Sequence, residues 1–218
     1  MNGEKQAGAE TVLHWFGHAS FRIRHKGTVI YIDPWKLPGE PQDAGLILVS
    51  HSHQDHYSPP DIAQAGGYHT ELLASGDVIR QEGRGQVLVP GLTATIGSVR
   101  VAAAAAYNRG KPFHPRDRNW LGFLLELGAR RIYYAGDTDW LEEMRRLPPL
   151  DIALLPVGGT YTMDAEEAAR AVEYLRPKLA VPYHWGDLVG AREDAERFAR
   201  LCGGKARILD AGETLTLG

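Results

Sequence analysis

The densest set of chemically capable side chains in this sequence is His51-Ser52-His53-Gln54-Asp55-His56, three imidazoles and a carboxylate within six positions. It follows directly on the apolar run Leu46-Ile47-Leu48-Val49, which reads as a strand covered on both faces. While the chain stays extended, His51 and His53 point to one side, because strand side chains repeat every two residues. Asp55 and His56 then fall in the turn that leads to a helix, with Ser58 as N-cap, Pro59 in the first turn and Gly66-Gly67 at its end. Neutral imidazoles and carboxylates are ligands that zinc and other first-row divalent ions accept. Such an ion lowers the pKa of a bound water to about 7, so hydroxide is available at neutral pH without a serine or cysteine nucleophile. Cys202, the one cysteine, lies in none of these motifs.

Two further strand ends carry potential ligands. The run Arg131–Ala135 leads into Gly136-Asp137-Thr138-Asp139, and Leu179–Val181 leads into Pro182-Tyr183-His184. Open α/β architectures place ligand sites at the carboxyl ends of strands. Taken singly, Asp137 reads equally as a turn or cap residue and His184 as a core histidine. Beside the His51–His56 cluster they become one candidate site.

This order of motifs resembles the metallo-β-lactamase superfamily, whose signature is His-x-His-x-Asp-His followed far downstream by an aspartate and a histidine. It looks closest to the small zinc-dependent hydrolases related to ascorbate-6-phosphate lactonases and N-acyl-phosphatidylethanolamine phospholipases. The supporting segments are Gly17-His18-Ala19-Ser20, Ile32-Asp33-Pro34-Trp35, His51–His56, Gly136-Asp137-Thr138, Gly158–Met163 and Pro182-Tyr183-His184. The resemblance implies an αββα sandwich, an α/β fold of two mixed sheets flanked by helices, with two divalent ions, zinc first and manganese or iron(II) as options, at one edge. It implies that His51 and His53 hold one ion, that Asp55, His56 and His184 hold the other, and that Asp137 bridges them. The superfamily usually supplies a third histidine to the first ion from the strand end before Gly-Asp-Thr. Here that strand ends Ala106-Tyr107-Asn108, so the pattern breaks. His114, in Lys111-Pro112-Phe113-His114-Pro115, is the nearest substitute, and it reads equally well as an exposed loop histidine.

The chemistry expected is hydrolysis, with metal-bound, bridging hydroxide attacking a carbonyl or phosphoryl centre of a small-molecule ester, lactone or phosphodiester. Asp55 would orient or deprotonate the water, and Tyr161 would donate a proton to the oxyanion or leaving group. Asp33 is a candidate acceptor for a ligand histidine's second N–H, or an Asp-Pro turn residue. His18 is placed facing the cleft. Tyr107, Asn108 and Lys111 are candidates to contact an anionic substrate, and Trp35, Trp120, Trp140 and Trp185 to wall a pocket or fill the core. The alternatives are a non-catalytic metal-binding module of the same fold, a nuclease and a mononuclear iron oxygenase.

The elements that must position these residues follow from periodicity. Strand-like runs span Thr11–Phe16, Ser20–Arg24, Thr28–Ile32 and Leu46–Val49, with further candidates at Gln86–Val89, Leu92–Ile96 and Val99–Tyr107. Alanines 102–106 favour helix by propensity, but their setting favours strand. From Leu121 strands and helices alternate: strands at Arg131–Ala135, Ile152–Leu155, Leu179–Val181 and Ala206–Leu209, and three helices between them. The first helix has Asp139 and Glu142 at capping-box spacing. The second has the stripe Ala165, Ala168, Val172 and Leu175, and the third Ala191, Ala195, Phe198 and Cys202, with Glu193/Arg197 and Glu196/Arg200 as solvent-face pairs. Residues 1–10 read as a flexible polar tail and 11–218 as one hydrolase domain.

The chain has 218 residues, 24 Lys+Arg against 27 Asp+Glu and a net charge of −3, so no global basic field would gather nucleic acid. No apolar run suits a signal peptide or a membrane span, and one cysteine fits a reducing compartment; a cytoplasmic protein is expected. The expected partner is a small-molecule substrate, with a homo-oligomer left open.

Overall fold

In the computed structural model, residues 10–217 are described; the tail expected over residues 1–10 lies, but for Glu10, outside the described residues. The first sheet is built from β1 (Thr11–Gly17), β2 (Ser20–His25), β3 (Thr28–Ile32), β4 (Ala44–Val49), β5 (Gly66–Ala74), β6 (Gln86–Val87) and β13 (Thr214–Leu217), in the order β13-β1-β2-β3-β4-β5-β6. The second contains β7 (Thr93–Ile96), β8 (Val99–Ala105), β9 (Leu121–Leu127), β10 (Arg130–Tyr134), β11 (Ile152–Pro156) and β12 (Leu179–Tyr183), in the order β12-β11-β10-β9-β8-β7. Both sheets are mixed. β13-β1-β2-β3 and β7-β8-β9-β10 are antiparallel, while β3-β4-β5-β6 and β10-β11-β12 are parallel.

Helices α1 (Pro59–Ala65) and α2 (Gly76–Glu82) belong to the first sheet, and α3 (Ala165–Leu175) and α4 (Arg192–Cys202) to the second. β4 shows why four layers form. Its Leu46 and Leu48 join the core between the sheets, whereas Ile47 and Val49 join the cluster with Ile62 and Ala65 of α1 and Val78 of α2. A strand apolar on both sides must be covered on both sides, at about 1.5–3 kcal/mol per large side chain buried. The expected αββα sandwich is the fold of this chain.

The alanine-rich segment is strand β8, because pairing with β7 and β9 on its two edges outweighs alanine's helical preference. Ser58 caps α1 and Pro59 opens it, as the sequence suggests. In α3 all four stripe residues are buried. In α4 Ala195 and Phe198 are buried, but Ala191 is the exposed N-cap and Cys202 is half-buried.

Several expectations need correction. The helix expected after Asp139 is only a 3-10 turn, Glu142–Arg146, squeezed between Leu141 and Leu147, both in extended conformation. Residues 206–209 contribute a single bridge from Ala206 to Ala180 rather than a strand. The charges of α4 do not pair as i,i+4 spacing suggested: Arg197 reaches Glu166 of α3, and Glu196 pairs with Arg192. Strands β5, β9 and β13 and helix α2 were not resolved by pattern alone.

The fold sets the site through where its strands stop. His51 lies two residues beyond β4, Asp137 three beyond β10, His184 and Asp33 directly after β12 and β3, Asn108 three beyond β8, and the β1–β2 turn holds His18. Gly136, the link between β10 and Asp137, has φ +70°, and a Cβ there would lie 2.3 Å from the Leu121 carbonyl oxygen. Gly136→Ala therefore combines left-handed strain with overpacking against β9. It is expected to lower unfolding free energy by about 3 kcal/mol, read as a shift in the urea midpoint at unchanged slope.

Candidate metal centre

The turn after β4 closes through His56 N–H and Tyr57 N–H, both donating to the His53 carbonyl at 3.0 and 2.8 Å. This brings Asp55 and His56 back over His51 and His53. Three ligand-type groups result, each with its atoms within 4.8 Å of one another: His18, Asp55, His56 and His184; His51, His53 and His114; and His51, His56 and Asp137. Every residue expected to ligate a metal is thus in one cluster, and His18 joins it. His114 is buried, not exposed on a loop, and stands with His51 and His53 where the strand itself supplies no histidine.

Asn108 explains that placement. Its Oδ1 accepts from the His114 backbone N–H at 3.0 Å and from His114 Nδ1 at 2.9 Å, while its Nδ2 donates to Asp139 Oδ1 and the Tyr161 carbonyl. The residue at the break in the pattern therefore orients His114.

Other outer contacts fix the imidazoles in the same sense. Ser50 Oγ donates to Asp33 Oδ2 at 2.6 Å and so accepts from His51 Nδ1 at 2.9 Å. His56 Nδ1 donates to Asp33 Oδ2 at 2.7 Å. With Nδ1 engaged, it is Nε2 of His51, His56 and His114 that faces the cluster, the nitrogen through which such a histidine can bind a metal; His51 Nε2 lies 3.1 Å from His53 Nδ1. Asp33 is also bonded by the Ser50 N–H and by the Tyr134 hydroxyl. His18, Asp33 and His184 all adopt positive φ (48°, 45° and 63°), strain of a kind that collects at functional sites.

Asp137 Oδ2 lies 3.1 Å from His184 Nε2 and 3.3 Å from His114 Nε2, and its Oδ1 3.2 Å from His56 Nε2. Asp55 Oδ2 is 2.9 Å from His18 Nε2 and 3.5 Å from His184 Nε2. Burial opposes charge here, yet the carboxylates prevail. His56 is held well above the ordinary histidine pKa by Asp137 and Asp55, and His184 is raised by Asp137. Burial also opposes the Asp137 charge, but His184 and His56 drive its pKa well below the usual carboxylate range. His51 is pushed well below the ordinary histidine value, chiefly by burial and then by the neighbouring His56, against the opposing pull of Asp137. The buried atoms His56 Nε2, His114 Nε2, His184 Nε2 and Asp137 Oδ1 have no hydrogen-bond partner. Converging lone pairs, carboxylates that demand positive charge and a donor set of imidazole and carboxylate fit divalent cations.

Trp120 backs His51 and His53, ring centroids 4.7 Å from each, and its Nε1 donates to Asp77 Oδ2, which also accepts from Ser52 Oγ. Trp35 lies against His18 at 5.3 Å, whereas Trp185 packs on Trp15 and Trp140 stacks on Tyr174. Tyr107 and Lys111 do not reach toward a substrate. Tyr107 donates to Glu143, and Lys111 ties Asp139 to the Gly159 and Thr162 carbonyls. Tyr161 lines a cavity of about 410 Å³ in front of the cluster, with His53, Asp55, His114, Asp137 and His184. Ser50, Asp77 and Tyr134 as supports had no signal in spacing; only Ser50 adjoined a motif.

The model of the β-lactamase superfamily domain matches residues 12–184. The chain belongs to the metallo-β-lactamase superfamily. It is 34% identical over 203 residues to a UPF0173 metal-dependent hydrolase of Thermoplasma acidophilum, covering 87% of this chain and 89% of that one. It superposes on a proposed metal-dependent hydrolase of Parabacteroides distasonis with a TM-score of 0.83 at 30% identity, over 94% and 96% of the two chains. A metallo hydrolase of Ignicoccus hospitalis aligns at a TM-score of 0.77 and 26% identity, over 96% and 99%. This superfamily member is thus a metal-dependent hydrolase. Among its described residues no helix is long and apolar enough to cross a membrane.

Asn108→Ala would leave the buried His114 backbone N–H without its acceptor and deprive Nδ1 of its shorter bond. The expected cost is about 1–3 kcal/mol of unfolding free energy, measured by urea denaturation of the metal-free protein.

Proposed function

We propose that this chain is a binuclear metal hydrolase acting on a small-molecule ester, lactone or phosphodiester, most simply with zinc and in the cytoplasm, its residues 11–218 working as one domain. The observation that carries the reading is the convergence of the buried His56 Nε2, His114 Nε2 and His184 Nε2 on Asp137, at a cavity lined by His114, Asp137 and His184. His51, His53 and His114 would hold one ion, Asp55, His56 and His184 the other, with Asp137 between them. When bound, two ions would lower the pKa of a shared water to about 7 and provide hydroxide at neutral pH. Asp55, 16% exposed at the cavity floor, orients that water or takes its proton. Tyr161, with its phenol at the cavity wall, donates to the oxyanion or leaving atom. His18 holds the Asp55 carboxylate from behind. A non-catalytic metal module gains no support from an open cavity at the cluster, since structural zinc sites are closed.

Elemental analysis of protein purified without a His-tag should find close to two divalent ions per chain, falling to close to one in His114→Ala. Asp55→Ala should abolish metal-dependent turnover while the site of His51, His53 and His114 keeps its ion; unchanged turnover would remove Asp55 from the mechanism.

The carboxylates raise the pKa values of His56 and His184 in the metal-free chain, so an ion binding there competes with protons. Binding is therefore expected to release protons, and affinity to rise with pH. Calorimetric titration of Zn²⁺ at pH 7 in two buffers of different ionisation enthalpy should show at least one proton released per chain.

A further inference from the structure

Beyond the histidines and aspartates, the cavity is lined by Gln54, Phe113, Tyr161, Leu188 and Val189, with no lysine or arginine among the lining residues. The cation best placed by sequence, Lys111, is committed to Asp139 and two carbonyls. Lys36, the partner of Asp187 in the loop after β12, is held in that ion pair. Phe113, Tyr161 and Leu188 are 38%, 36% and 51% exposed, three of the nine large hydrophobic side chains exposed among the described residues. They come from three separate loops and meet at one opening, where Phe113 packs edge-on to Tyr161 at 4.6 Å. An exposed apolar rim around convergent polar groups marks a ligand site.

We infer that the substrate is an uncharged acyl compound, a carboxylic ester, lactone or amide, whose apolar group of several carbons lies against Phe113, Leu188 and Val189. The inference rests on the hydrolase reading above and narrows it. Hydrolysis adds the oxygen of water to the acyl carbon and breaks its C–O or C–N bond, and the proton goes to the leaving oxygen or nitrogen; no oxidant or reductant is needed. A phosphate or other anion carried away from the reacting centre would find none of the arginine or lysine donors that such groups take. An alkyl chain there instead removes both its own surface and the rim's from water.

The test uses the full chain loaded with zinc. Turnover of p-nitrophenyl acetate, butyrate and hexanoate is compared with that of bis(p-nitrophenyl) phosphate, and binding of acetohydroxamate with that of hexanohydroxamate by calorimetry. Both kcat/KM and hydroxamate affinity should rise roughly threefold per added methylene, and the phosphodiester should be the poorest substrate. Phe113→Ala and Leu188→Ala should flatten both series while leaving zinc content unchanged. Turnover that is flat across the esters, or fastest on the phosphodiester, overturns the apolar-substrate inference and leaves the hydrolase standing. No turnover of any compound by chain that holds its zinc overturns the hydrolase reading and this inference with it.

Discussion

Asp33, fully buried, accepts hydrogen bonds from the Ser50 N–H and hydroxyl, from His56 Nδ1 and from the Tyr134 hydroxyl, all at 2.6–2.7 Å. A buried carboxyl group is tolerable only when its oxygens are satisfied, so these donors hold one another in place. Three belong to the end of β4 and the turn beyond it; the fourth comes from β10 in the other sheet. Asp33 thereby ties the two sheets together at the edge where the histidines converge and sets the tautomer of His56. The fold and the site share this contact, beside the Leu121 N–H to Ser50 carbonyl and His184 N–H to His18 carbonyl bonds that also cross between the sheets.

The rest of the centre follows the same economy of polar groups. Each of His51, His56 and His114 has its Nδ1 engaged by an oxygen of Ser50, Asp33 or Asn108, so each is left with one nitrogen facing its neighbours. Eight imidazole or carboxylate side chains packed so closely, with two aspartates among them, are electrostatically incomplete. In the metal-free chain the raised proton affinity of His56 and His184 answers part of that demand, and a divalent cation would answer it too. Around this charged floor the loops supply apolar side chains rather than more charge, and that contrast separates the reacting centre from whatever the substrate presents beside it.

The division of labour at the break in the motif is instructive. A histidine at the end of β8 would reach the centre directly. Here Asn108 sits at that point and His114 arrives from a loop six residues on, buried and bonded by Asn108 through both its backbone and its ring. Asn108 thereby orients the histidine that stands with His51 and His53. Lys111, between them, fastens the same loop to Asp139 and the 159–162 turn, which makes the arrangement a rigid one.

The four-layer fold and most of the ligand-type cluster were legible in the chain alone. An apolar run such as Leu46–Val49 must be buried on both faces, and alternation, caps and stripes mark elements through local physics. His51, His53, Asp55 and His56 are close in sequence, so a strand end and one turn suffice to gather them. Pattern failed where partners decide: the alanines of β8 could be placed only by setting, the 139–146 segment is too confined to complete a helix, and β13 exists because β1 offers it an edge. The side-chain roles diverged in the same way. Whether His114 turned inward, which groups supported the imidazoles and where Lys111 and Tyr107 spent their donors depended on contacts between residues tens of positions apart. Sequence determined the chemistry available, because residue type and local spacing set ligand capacity. Tertiary structure alone decided which groups share the centre, because a buried polar atom takes its partner from whatever the packed sheets bring within 3 Å.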